Sequence, residues 1–117
     1  MVATSEVYVE PSVITVALAD EMLVLCHEVL APAGLRVHRV AHVHAACERI
    51  AVLLPQLVVV PASMRPDEVD MIEDRTIAVG ALLLTLDAGH GYDAMAAQLE
   101  VTLADVRRRF GRGRFEA

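Results

Sequence analysis

A chain of 117 residues with 56% hydrophobic residues and a formal net charge of -6 has the size of one domain with its own core, short of two full domains. The acidic balance argues against a polyanion-binding surface spread over the whole molecule and leaves room for a local basic patch. All ten basic residues are arginine, so side chains offer neither Schiff-base chemistry nor a lysine-dependent phosphate site.

Residues 1 to 11 read as a short leader, frayed or paired at a sheet edge. The first strand falls at about 13-18, rich in Val, Ile and Thr, and ends in the acidic pair Asp20 and Glu21. Asp20 is expected to cap a helix of about 21-31, in which Met22, Leu25, Cys26, Val29 and Leu30 recur at helical spacing. Pro32 and Gly34 stop that helix. A second strand at about 35-40, a helix at 43-54, Pro55 and a third strand at 57-60 follow. Met64 to Glu68 read as a loop into a helix starting near Asp67. Ala81 to Leu86 read as a fourth strand, with a helix as the competing assignment. Continuous apolar strands alternating with helices imply a parallel sheet covered on both faces. Right-handed crossovers give its first three strands the order 2-1-3.

Cys26 and Cys47 fall in apolar helical stretches, the usual setting of free buried thiols, which fits a cytoplasmic compartment better than a disulfide scaffold. The N-terminus lacks a basic start and an unbroken apolar run, and no stretch is long and uncharged enough to span a bilayer, so no membrane partner is expected. Cys26 and His27 are neighbours on one helix, point apart and form no dyad. His38, His42, His44 and Cys47 crowd ten residues. His44 and Cys47, three apart on a helix, have a usable spacing for Zn²⁺, yet the set matches no metal motif, so no metal or other cofactor is expected.

The strand Val13 to Leu18 with Asp20 and Glu21, the stretch Leu30 to Val37 with its glycine turn, and Ala45 to Ile50 followed by Pro55 to Val60 together carry a likeness. The pattern resembles the receiver domain of two-component response regulators over residues 13 to 88. The resemblance implies an α/β, flavodoxin-like fold of three layers, here with four parallel strands and a rearranged helical C-terminus. It also implies a degenerate phosphorylation pocket: Asp20 and Glu21 as metal-holding acids, Pro61 where the family has its phosphorylated aspartate, and Thr85 where it has a switch hydroxyl. A proline ring accepts no phosphoryl group and ligates no metal. Phosphoryl transfer also needs a cation to neutralise developing charge, and no lysine-tipped fifth strand follows Leu86. Asp20 and Glu21 facing water at a helix start is the simpler reading of the pair. The implied activity is therefore non-enzymatic: a pseudo-receiver acting through contacts with a regulatory protein partner. The unpaired strand at 81-86 points to a homodimer burying Leu82, Leu84 or the helix from Tyr92 to Leu99.

Ala96 to Arg109 carries a competing resemblance, to helix-turn-helix segments of transcription regulators, preceded by a glycine turn at Gly89 to Tyr92. Thr102 would cap a recognition helix, and Arg107, Arg108, Arg109, Arg112 and Arg114 would meet DNA phosphates and bases. Glu100 departs from the pattern, standing at the turn where glycine is common. The alternatives for 89-117 are thus a DNA-binding unit or helices that close the sheet.

Overall fold

The structure is a computed structural model that describes residues 10–111. Four strands, β1 (Ser12–Val16), β2 (Arg36–Val40), β3 (Leu57–Pro61) and β4 (Leu82–Leu86), alternate with α1 (Asp20–Leu30), α2 (Val43–Leu53), α3 (Pro66–Ala78) and α4 (Tyr92–Phe110). A single 3₁₀ turn, Ala88–His90, precedes α4. All strand pairs are parallel, in the order β2-β1-β3-β4. This is the flavodoxin-like, three-layer α/β architecture. The 81-86 segment is a strand, in register with β3 from Leu57↔Leu82 to Pro61↔Leu86.

Strand side chains alternate between two cores, which explains why the strands read as unbroken apolar runs. Val13, Leu57, Val59 and Leu86 pack under α1 and α4, whereas Ile14, Val16, Val58 and Val60 pack under α2 and α3. A right-handed step outward to a fifth strand would place its connecting helix on the α3 face. Instead α4 returns to the α1 face, where Met95, Leu99, Leu103 and Val106 join the core.

Two expectations are corrected here. Asp20 is the first residue of α1 rather than its cap; the cap position belongs to Ala19, and no side chain bonds to the helix end. The chain needs Ala17 to Ala19 to turn out of β1, with Ala17 at φ 55, which moves the cap off Asp20 and onto Ala19. Among the described residues the helix-turn-helix expected over Ala96 to Arg109 is also not formed. Residues 92 to 110 form one uninterrupted helix, because nothing between Gly91 and Gly111 breaks it and its alanines, leucines and glutamate favour helix throughout. Thr102 sits half-buried inside that helix and caps nothing.

Candidate functional site

In a parallel α/β sheet, ligands sit beyond the carboxyl ends of the strands, where successive connections leave on opposite faces. Here α1 leaves β1 on one face and α3 leaves β3 on the other. The end of the sheet opens into a hollow of ≈ 490 Å³ lined by Ala17, Leu18, Met22, Pro61, Ser63 and Asp87, among others. Pro61 is the buried last residue of β3, and it lines the hollow where the receiver likeness has its acceptor.

The other parts of the expected pocket lie elsewhere. Asp20 is 91% exposed at the side chain and turns to Arg39, 4.0 Å away across the surface. Glu21 is exposed in the first turn of α1, where its charge suits the helix N-terminus. Neither lines the hollow. Thr85 pairs with Val60, one rung short of the Pro61↔Leu86 rung, so strand alternation turns its exposed hydroxyl to the α3 face. Among the described residues the hollow's single carboxylate is Asp87, and no arginine or histidine lines it. Asp87 is already engaged: its Oδ1 accepts the Gly89 N–H at 2.8 Å, and its Oδ2 lies 3.5 Å from His90 Nε2. Its place immediately after the last apolar residue of β4 was the signal that would have found it.

Sequence reasoning also missed Gln98. Its side-chain Nε2 donates to the Thr85 carbonyl at 3.3 Å, and its Oε1 accepts the Asp87 N–H at 3.5 Å. A carbonyl and the N–H two residues on are the pair that one residue of an adjacent parallel strand engages. The Gln98 amide therefore stands where one rung of a fifth strand would bond, and among the described residues no fifth strand pairs with β4.

Across the sheet, His44, Cys47 and Glu48 of α2 line a shallow groove with Arg75 of α3. His38 lies on β2, where burial first, then Arg36 and Arg49, lower its pKa from the ordinary histidine value. His42 occupies the cap position of α2. Among the described residues, no group of three or more His, Cys, Asp or Glu side chains converges as metal ligands do. Cys26 is enclosed, with burial pushing its thiol up to about 11, while His27 is exposed.

Arg107, Arg108 and Arg109 are exposed in the last turn of α4, suited to its C-terminal dipole. Arg108 is paired with Asp105, and Arg109 lies 5.8 Å from the Phe110 ring centroid. Arg112 and Arg114 lie outside the described residues. Among the described residues no helix is long and apolar enough to cross a membrane.

No protein-family model matches the sequence, and no curated protein matches it significantly.

Proposed function

We propose that this chain is a non-enzymatic regulatory module, a pseudo-receiver that works in the cytoplasm through protein contacts and without phosphorylation. The observation that carries the reading is the hollow at the carboxyl end of the sheet. Pro61 lines it at the position that the receiver resemblance gives to the acceptor, and among the described residues its lone carboxylate is tied to the following turn and no cation lines it to balance a transferred phosphoryl group. Aspartyl phosphorylation needs an acceptor, a metal held by acids and a positive partner together. Asp20, Glu21 and Thr85, the remnants the resemblance supplies, are dispersed over the surface. What remains for the fold to do is to present surfaces to a protein partner, a second copy among them.

The experiment is incubation with acetyl phosphate, and separately with beryllofluoride and Mg²⁺. The mass and the amide spectrum are expected to stay unchanged. Saturable, stoichiometric shifts clustered around Ala17, Pro61 and Asp87 would overturn the reading.

A second reading, transcriptional regulation through DNA, rests on the exposed triplet Arg107, Arg108 and Arg109. With α4 continuous, contact would come from the end of one helix, without a separate recognition helix. Phosphate contacts by arginine need no base-reading element.

A further inference from the structure

The two edges of the sheet are built differently. The β2 edge carries Arg36, His38 and Arg39, with Arg36 bonded to Glu10 at 3.1 Å. Charge of this kind discourages strand-to-strand association. The β4 edge reads Leu-Leu-Leu-Thr-Leu with no charge, and Leu82 to Leu84 stay partly exposed and Thr85 exposed, although helices cover both faces of the sheet. What leaves them open is the edge itself.

The register tells which backbone groups of β4 have no partner among the described residues. Leu82 N–H donates to the Gln56 carbonyl, and the Leu86 carbonyl accepts from Ala62 N–H. By strand alternation the backbone groups of Leu82, Leu84 and Leu86 face β3, and those of Ala81, Leu83 and Thr85 face outward. Gln98 occupies only the last outward rung, at the Thr85 carbonyl and Asp87 N–H.

Exposed apolar side chains flank this edge. Arg75 faces the groove against α2, so Ile77, with Glu73 and Asp70 above it on the other flank of α3, lies toward β4. Gln98 reaches the edge from α4, which puts Val101, three residues on, on the same flank. Ile77 is 68% exposed and Val101 64%.

We propose that the β4 edge pairs antiparallel with the β4 edge of a second copy of this chain, about a two-fold axis through Leu83. That register lets the two Leu83 residues exchange both backbone bonds and lets each Thr85 N–H meet the partner's Ala81 carbonyl, leaving the Gln98 bonds undisturbed. It sets Leu82 against the partner's Leu84, an apolar cross-strand pair on the α4 face. Ile77 meets its copy on one side of the sheet and Val101 on the other. A five-residue strand of ~17 Å, through a helix-sheet-helix thickness of ~30 Å, offers about 500 Å² per partner and about 1,000 Å² in total, the lower bound of a specific interface. Asp70 and Glu73 approach their copies and oppose the contact, so added salt tightens it.

The proposal specifies the contact surface in the reading above, and its test fails separately from that reading, since the phosphoryl probes report on the hollow and association reports on the edge. Light scattering at high micromolar concentration is expected to give twice the protomer mass of 12.7 kDa. The double variant Ile77→Lys, Val101→Arg, changed only at exposed positions, is expected to halve that mass with an unchanged circular dichroism spectrum. A wild-type protein at protomer mass, or a variant that remains dimeric, overturns the proposal. Amide exchange on the wild-type protein supplies an arm that needs no variant: Leu83 and Thr85 are expected to slow as concentration rises, and unprotected amides in a dimeric sample overturn the register.

Discussion

Truncating Leu99 to alanine tests whether α4 closes the sheet or is a detachable reading head. Leu99 is completely buried, in one core with Met95, Leu103 and Val106 of its own helix, Leu25 and Cys26 of α1, and Val59 and Leu86 of the sheet. Removing its side chain forfeits the transfer free energy of three buried carbons and leaves a cavity that neighbours on three elements only partly fill, a cost of about 3 to 5 kcal/mol. With a denaturant slope of about 1.5 kcal/mol per molar urea for a domain of this size, the unfolding midpoint should fall by about 2 to 3 M. That is a large share of the about 5 to 15 kcal/mol that holds a domain folded. Urea titration followed by circular dichroism at 222 nm makes the measurement. Glu100→Ala, at an exposed position of the same helix, is the control and should move stability by no more than about 0.5 kcal/mol. A loss under about 1 kcal/mol for Leu99→Ala would refute the assignment of α4 to the core.

Tyr92 donates its hydroxyl to Glu28 Oε1 at 2.6 Å, joining the start of α4 to α1, and that bond raises the Tyr92 pKa. A raised phenol pKa means the bond stabilises the fold fully below the unfolded tyrosine value of about 10 and is lost as pH rises through the folded value; unfolding curves of wild type and Tyr92→Phe should differ at neutral pH and converge in strong alkali, and a constant difference would exclude the bond as its source. For DNA, each phosphate neutralised by Arg107 or Arg109 should contribute a log-log salt slope of about -0.9 to duplex affinity. Replacing Arg107 and Arg109 with alanine should then abolish binding without changing the oligomer, whereas Arg108, already paired with Asp105, should matter less. If no duplex binds even at low salt, the DNA reading falls and the triplet serves only the helix end.

The sheet was legible because its strands are short, apolar and separated by proline and glycine. Pro32 and Gly34 close α1 before β2, and Pro55 sits ahead of β3. Both cores demand apolar side chains on both strand faces, so Leu57 to Val60 form a strand without any choice of face: every residue is buried whichever way it points. The same property hid the site. A run without polar alternation gives no phase, so the sequence did not reveal that Thr85 stops one rung short of Pro61. Asp20 misled for a related reason: an acidic residue suits both the cap and the first turn of a helix, and only the backbone turn at Ala17 decides between them. Helix-turn-helix spacing in Ala96 to Arg109 was matched by residue types that are equally good helix formers, and without a glycine or proline at Glu100 the chain had no reason to turn.

Gln98 shows how one helix links these features. The buried residues of α4 fix it on the α1 face, so among the described residues the β4 edge has no covering strand, and the Gln98 amide reaches back across that edge to occupy one rung. A fifth strand would have buried Leu83 and Thr85 and carried the chain back to the α3 face; a single side-chain amide satisfies two backbone groups and leaves the rest of the strand available. The edge is thus blunted at the end nearest the hollow and open at the end nearest Ala81. An arriving strand can therefore bond at Leu83 but not at the Thr85 carbonyl, and that confines the proposed pairing to a register centred on Leu83 rather than one that extends toward the hollow. The Gln98 amide thus lies between the open part of the edge and the hollow beyond the strand ends, so the proposed contact at Leu83 leaves the residues that line the hollow untouched.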